Sequence, residues 1–187
     1  MLILSGKIPV KLNPLFLLLI VFIGWMNSQT IWGTVVWMGV IFSSVLVHEF
    51  GHALTAVAFG QRAQIELFGL GGVTHRRGPP LKLWKDFLVV LNGPLAGLLL
   101  FFIAFLFRLY LREKPMNLFI YAIEVTFFVN LFWTLVNLLP IQPLDGGHLL
   151  RIFFEGVLGF RGIKLAYFIS FLLAAAVSIL FIALGSL

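Results

Sequence analysis

The sequence contains no cysteine and few charged residues. Of its 187 residues, 11% are charged and 61% are hydrophobic. Without thiols the chain cannot form a disulfide or a thiolate metal site, so any bound metal ion must be held by histidine and carboxylate side chains. Soluble domains are about 25% charged. The shortage of charge therefore excludes a water-soluble surface and indicates that the lipid bilayer is the solvent.

Five apolar stretches are separated by polar connectors, and a shorter apolar piece follows Asp145. A membrane-spanning helix needs about 20 mostly apolar residues, so the sequence predicts an all-α integral membrane protein with five to six transmembrane helices. No repeat or soluble appendage is present, and residues 1–187 are predicted to form a single polytopic membrane domain. The stretches are residues 14–26, 31–59, 87–107, 116–139 and 165–184.

The thirteen lysines and arginines are distributed unevenly over the connectors. If residues 141–164 do not cross the membrane fully, one side receives only Arg108, Arg112 and Lys114, and the other side receives the remaining ten. Cytoplasmic loops are enriched in basic residues. We therefore attribute the net charge of +6 to the orientation of the chain in the membrane and expect no nucleic-acid partner. The N-terminus and the active site are predicted to face the cytoplasm, in the cell (inner) membrane of a prokaryote.

The second apolar stretch contains the pattern H-E-x-x-H as His48-Glu49-Phe50-Gly51-His52. Residues four apart lie on nearly the same face of a helix, so both imidazoles can face one metal ion. Glu49 then lies beside that ion and can accept a proton from the attacking water. An ionised side chain at the centre of a membrane span costs about 3 kcal/mol or more. That cost favours a functional site over the alternative, a polar cluster that packs helices together.

Catalytic zinc sites usually have three protein ligands, so a third ligand is required. Glu124, Asp145 and His148 are the candidates at membrane depth, whereas His75 lies in a basic loop and is expected to be solvated. Glu124 lies within a span without a neighbouring motif and can equally pair with a cation. His148 follows Asp145 by one helical turn, where it can act as a transition-state donor or only cap the helix.

Asp145 stands directly after a predicted break in the fourth apolar stretch. Pro140 and Pro143 interrupt the helix, and Gly146 and Gly147 permit unusual backbone angles. Broken helices at membrane depth are tolerated where they line a cavity, so the break could aim the carboxylate inward. The alternative is an ordinary turn at the membrane surface.

Three motifs that occur in this order resemble the site-2 protease family of intramembrane zinc metalloproteases. The match spans about residues 45–150. The resemblance implies one Zn²⁺ per chain, bound by His48, His52 and Asp145, with Glu49 as the catalytic base. It is a resemblance to a minimal form of the family, without PDZ or CBS domains. The motifs are His48-Glu49-Phe50-Gly51-His52, Asn92-Gly93-Pro94-Leu95-Ala96-Gly97 and Asn137-x-x-Pro140-x-x-Pro143-Leu144-Asp145-Gly146-Gly147.

Other residues of these motifs are candidates for supporting roles. Asn92 can donate to a carbonyl or an oxyanion, although helix packing explains most of its motif, and Asn137 can brace the broken helix or hold the substrate. By resemblance, Gly69, Gly71 and Gly72 lie in a short β-hairpin-like or re-entrant loop whose edge receives an extended substrate. A flexible connector is the alternative for this loop.

The resemblance implies regulated intramembrane proteolysis, the hydrolysis of peptide bonds in or near transmembrane segments. The expected partners are membrane-tethered proteins or signal-peptide remnants as substrates, the lipid bilayer, and a regulatory membrane protein. A metal or ion transporter with the same side chains as a transit site is one alternative, but it does not explain Glu49 beside His48. A catalytically idle scaffold is another, and it would not need Glu49.

Overall fold

The computed structural model describes residues 2–4, 6–69 and 71–185. Leu70, in the predicted β-hairpin-like loop, lies outside the described residues. The described chain is mostly helical and contains one small sheet. In chain order the elements are β1 (Leu2–Leu4), β2 (Val10–Leu12), α1 (Pro14–Ser28), α2 (Ile31–Ala58), β3 (Arg62–Phe68), β4 (Gly71–Arg77), α3 (Leu83–Leu111), α4 (Leu118–Asn137), α5 (Asp145–Leu158) and α6 (Phe160–Gly185).

Among the described residues, four helices, α2, α3, α4 and α6, are long and apolar enough to cross a membrane. Much of their surface consists of exposed large hydrophobic side chains, which suits contact with lipid rather than water. The α6 helix packs against α5, and only 6% of its most apolar window is buried inside the protein. The chain is therefore a multi-pass integral membrane protein.

Polar side chains next to the apolar stretches set where the helices begin. The side chain of Asn13 accepts a hydrogen bond from the backbone N–H of Leu15, and Pro14 occupies the first turn of α1. Thr30 caps α2 in the same way through Gly33. Such caps satisfy backbone donors that have no partner within the helix.

The α2 helix lies at the centre of the bundle, where it packs against α1, α3, α4 and the sheet. Two side-chain hydrogen bonds tie it to α4. Nε1 of Trp37 donates to the hydroxyl of Tyr121 at 2.8 Å, and the buried amide of Asn130 donates to Ser44 at 2.9 Å. A central helix is screened from lipid on most sides, which makes it a suitable carrier for ionisable groups.

The sheet has four strands in the order β1-β2-β3-β4, and β2 pairs with β3 in parallel. Its inner face is apolar and packs on the helices: Val10, Leu12, Ala63, Ile65 and Leu67 are all buried. The β3–β4 pair is an antiparallel hairpin. This hairpin confirms the β-hairpin-like loop that was predicted after the second apolar stretch.

Two features differ from the sequence-based expectation. The all-α prediction omits the mixed sheet, because strands β1 and β2 have only three residues each, too few for a periodic pattern. Of the five to six predicted spans, four in the part of the chain that the structure describes meet the length and composition expected of a span. The α1 helix has 15 residues and α5 has 14, both shorter than the roughly 20 that cross a bilayer without distortion.

Candidate metal centre and active site

Three ionisable side chains are buried side by side in the C-terminal half of α2. His48, Glu49 and His52 are 4%, 5% and 8% exposed. The helical spacing places both imidazole rings on one face, as the motif predicts. Burying such groups among apolar neighbours costs free energy unless they are paired or bound to a metal, so their burial marks a specific site.

Asp145, the first residue of α5, completes a cluster with the two histidines. Its Oδ2 atom lies 3.0 Å from Nε2 of His48, and its Oδ1 atom lies 3.4 Å from Nε2 of His52. The two Nε2 atoms are 3.2 Å apart. One potential ligand atom from each of the three residues lies within 4.8 Å of the others, so the sequence-predicted trio forms a candidate metal site.

The donor set fits a zinc ion. Nδ1 of His52 lies 2.8 Å from the carbonyl oxygen of Val89, and a hydrogen bond to that oxygen leaves a lone pair on Nε2, directed at the cluster. Two nitrogen ligands about 2.0 Å from a tetrahedral ion would be about 3.3 Å apart, close to the observed 3.2 Å. Oδ2 of Asp145 is buried and receives no aligned hydrogen bond from the described residues, so a cation would satisfy it.

The ionisation state of Asp145 also suits a metal ligand. Burial raises its pKa, but the adjacent His48 and His52 outweigh burial and lower the pKa to about 2. The carboxylate is therefore ionised at neutral pH, as metal binding requires. One turn later in α5, burial lowers the pKa of His148, which keeps that imidazole uncharged near pH 7.

The break between α4 and α5 delivers Asp145 to the histidines. Pro140 and Pro143 lie in the connector, where proline cannot donate a helical hydrogen bond. The first turn of α5 packs closely onto this connector, because a Cβ atom on Gly146 would lie 2.2 Å from the carbonyl oxygen of Leu138. The predicted helix break and its glycine therefore place the carboxylate against α2.

The α3 helix approaches α2 closely enough to touch a ligand ring. A Cβ atom on Gly93 would lie 2.1 Å from Nε2 of His52, and a Cβ atom on Gly51 would lie 2.2 Å from the carbonyl oxygen of Asn92. The side chain of Asn92 donates to Thr55 at 2.7 Å, which ties α3 to α2 beside the site. In this structure the Asn92–Gly97 motif serves close helix packing rather than direct contact with the reacting groups.

Gly93→Ala is expected to weaken zinc binding by at least about tenfold, because the added methyl group must displace the ring of His52 or separate the two helices. Zinc content and zinc affinity of the purified protein measure the effect. Gly39→Ala is the matched control, since nothing lies within 4 Å of a Cβ at that position of α2. Equal zinc affinity of both variants would contradict the packing argument.

Strand β4 orients the side chain of Glu49. The hydroxyl of Thr74 donates to Oε2 of Glu49 at 2.6 Å. Gly72 lies two residues before Thr74 and therefore on the same face of the strand. A Cβ atom on Gly72 would lie 2.4 Å from Cγ of Glu49. Gly72 makes room for the carboxylate and Thr74 fixes it. The sequence analysis does not assign Thr74 to the site, although its spacing from Gly72 is the signal that could have done so.

A cavity of about 200 Å³ lies beside the cluster. Glu49, His52 and Asp145 form part of its wall, and His148 lines it as well. The wall also contains three charged residues that the sequence analysis does not single out, Arg76, Asp86 and Arg151. They come from β4, α3 and α5, so only the tertiary structure brings them together.

The remaining candidates lie at or beyond the edge of the site. Asn137 donates to the carbonyl of Trp133 in its own helix at 3.0 Å, and Gly69 forms the turn after β3 with a φ of 59°, a left-handed conformation that favours glycine. Gly71 begins β4. Glu124 pairs with Arg108 at 2.8 Å and is not part of the metal cluster.

Membrane-spanning helices around an H-E-x-x-H motif, with an acidic residue as the third potential metal ligand, define the class of intramembrane metalloproteases. The family model described as Peptidase family M50 matches residues 36–117 and 112–177 of this chain. The chain therefore belongs to peptidase family M50, the site-2 protease family of zinc metalloproteases.

Individual relatives agree with this assignment. Stage IV sporulation protein FB of Bacillus subtilis is 40% identical over 121 residues, 63% of this chain and 40% of that protein. A zinc metalloprotease of Methanocaldococcus jannaschii is 30% identical over 152 residues, 77% of this chain and 42% of that protein. The chain thus spans about two fifths of the length of these curated relatives.

A solved structure shares the fold. The site-2 protease from Methanocaldococcus jannaschii superposes with a TM-score of 0.62 at 23% sequence identity. The alignment covers 88% of this chain and 77% of that one. At this level of identity the similarity concerns the fold alone.

Proposed function

We propose that this protein is an intramembrane zinc endopeptidase that hydrolyses peptide bonds in or near transmembrane segments of membrane-tethered proteins. The observation that carries the proposal is the position of Glu49, which is buried next to the His48–His52–Asp145 cluster and lines the same cavity. A metal-transit site would need the ligands, but not an oriented carboxylate beside them. The assignment to peptidase family M50 supports the same reading.

His48, His52 and Asp145 would hold one zinc ion through two Nε2 atoms and a carboxylate oxygen. Bound zinc lowers the pKa of water to about 7 and polarises a carbonyl group. The chain itself sets the ligand geometry. Val89 fixes the tautomer of His52 through its carbonyl oxygen, and such outer hydrogen bonds orient metal ligands.

Glu49 acts as the general base in this proposal. Its Oε2 atom is held by Thr74, so the carboxylate keeps one orientation while it takes a proton from the attacking water and passes it to the leaving amine. Thr74 is therefore a positioning residue for Glu49. His148, which lines the same cavity, can donate a hydrogen bond to the developing oxyanion.

An extended substrate would bind along β4. This strand is the last in the order β1-β2-β3-β4, so one of its edges has no partner strand in the described sheet and can pair with a peptide. Gly72 and Thr74 face Glu49 from the same strand. A peptide added to this edge would run past the catalytic carboxylate, while Gly69 and Gly71 allow the turn into β4. Asn92 and Asn137 support the site from α3 and α4.

The topology supports a cytoplasmic N-terminus and site in the cell membrane. Strands β1 and β2 precede α1, whereas β3 and β4 follow α2, yet all four form one sheet. This shared sheet supports an α1–α2 pair that returns the chain to the side where it began. Exposed apolar residues on α1, among them Leu18, Phe22 and Met26, support its placement in the hydrocarbon layer as a fifth membrane helix. Lys11, Arg62, Arg76 and Arg77 lie in the strands, and cytoplasmic loops are enriched in such basic residues.

Removal and return of zinc tests the proposal. Wild-type protein in lipid nanodiscs is incubated with a panel of single-span membrane proteins, and products are identified by mass spectrometry. We expect cleavage within or beside the transmembrane segment, loss of cleavage after chelation, and its return with zinc but not with magnesium. Zinc-dependent uptake into proteoliposomes without any cleavage would instead support a transporter.

A further inference from the structure

An ionic network centred on Asp86 borders the catalytic cavity. Asp86 lies in the first turn of α3, and its Oδ1 accepts a hydrogen bond from Nη1 of Arg76 at 2.7 Å. Its Oδ2 lies 3.5 Å from Nη2 of Arg151. Arg151 in turn donates to Glu155 at 2.6 Å. We call these four residues the Asp86 network.

The elements that the Asp86 network joins are those that carry the parts of the active site. Arg76 lies in β4, two residues after Thr74, which holds Glu49. Asp86 lies three residues before Val89, which orients His52. Arg151 lies in α5, the helix that Asp145 begins. The carboxylate of Asp86 thus connects β4, which orients the catalytic base, with α3 and α5, which position His52 and Asp145.

The charges of the Asp86 network balance. This balance decides between two possible roles for the network, attraction of an anionic substrate group and positioning of the site. Two guanidinium groups face two carboxylates, so little positive charge is left to attract an anionic substrate group. The side chain of Asp86 is only 18% exposed and that of Arg151 only 23%. Partial burial strengthens such charge-assisted hydrogen bonds relative to fully exposed ion pairs. Asp86 is the one ion-pair partner of Arg76 among the described residues, so loss of Asp86 removes the ion pair that ties β4 to α3.

We propose that Asp86 is a positioning residue, whose carboxylate holds β4 against Glu49 and thereby aligns the substrate edge with the metal ligands. This inference rests on the proposed proteolytic function. Asp86 lines the cavity beside the residues proposed to react, and it acts on them through Arg76 and Arg151.

Asp86→Asn tests this role, because asparagine keeps the shape but removes the charge that both guanidinium groups share. We expect kcat to fall about ten- to hundredfold, as displacement of a catalytic group by about 1 Å can cost, with a smaller change in KM. Zinc content should stay at one ion per chain. Asp86→Glu should restore most of the lost kcat. Hydrogen–deuterium exchange should become faster at the amides of residues 71–77.

Glu124→Gln is the matched control. Glu124 forms a comparable ion pair with Arg108 at 2.8 Å, near the opposite end of α3 from Asp86. Loss of this ion pair should change neither kcat nor hydrogen–deuterium exchange in β4. Wild-type kcat in Asp86→Asn, or an equal fall in both variants, would overturn the proposal. Exchange in β4 decides the role of Asp86 even if no substrate is cleaved, whereas absence of wild-type cleavage bears on the proposed function alone.

Discussion

Replacement of Glu49 by glutamine will abolish proteolysis while zinc stays bound. Glutamine is nearly the same size as glutamate, so it fits the space that Gly72 leaves, and its side-chain oxygen can still accept the hydrogen bond from Thr74. The neutral amide cannot take a proton from the attacking water. Loss of a general base typically costs about 10²- to 10⁴-fold in rate, which places the variant at or below the detection limit of a gel assay.

Two measurements on the same preparation check this result. Single-turnover cleavage of a fluorescent single-span substrate gives the rate, and metal analysis gives zinc per chain. The Glu66→Gln variant serves as the control and should cleave at the wild-type rate, because Glu66 pairs with His75 on the outer face of the sheet. If Glu49→Gln cleaved as fast as wild type, Glu49 would not be the base. If it lost zinc, its role would be structural.

The core of the site could be predicted from sequence because local spacing determines it. His48 and His52 are four residues apart on one helix, and helix geometry alone brings their rings together. Asp145 could be proposed because prolines and glycines around it indicate a broken helix, which is a local property as well. Its distances of 3.0 and 3.4 Å from the two imidazoles depend on the tertiary packing of α5, which lies against α3.

Residues that act across elements carried no such signal. Asp86 lies 10 positions after Arg76 and 65 positions before Arg151 in the chain. In the sequence, each of the three looks like an ordinary charged residue of a connector. The sequence does not predict the N-terminal strands, because β2 pairs with β3, 55 residues later, and β1 is held through its pairing with β2. Gly93 was expected to serve helix packing, and the structure adds that this packing is what leaves space for the ring of His52.

The second large effect is expected from Asp145→Asn, which should lower zinc affinity by more than about 100-fold. Asparagine preserves the shape of the side chain but supplies a neutral ligand where the structure places an ionised carboxylate. Loss of an outer-shell partner alone typically costs 10- to 100-fold in metal affinity, and a direct ligand should cost more. Since zinc bound to the folded state stabilises it, the thermal midpoint of wild type should rise with zinc, and that of the variant should not.

Asp86→Asn is the decisive comparison, because it makes the same chemical change in the wall of the same cavity without touching the proposed ligand set. A chelator competition should show wild-type zinc affinity for Asp86→Asn and strong loss for Asp145→Asn. Equal loss in both would mean that the metal depends as much on the charge or the alignment that Asp86 supplies as on Asp145. Wild-type zinc affinity in both variants would mean that Asp145 is not the third ligand. Since the buried oxygen of Asp145 lacks an aligned donor among the described residues, direct ligation is the outcome that the geometry supports.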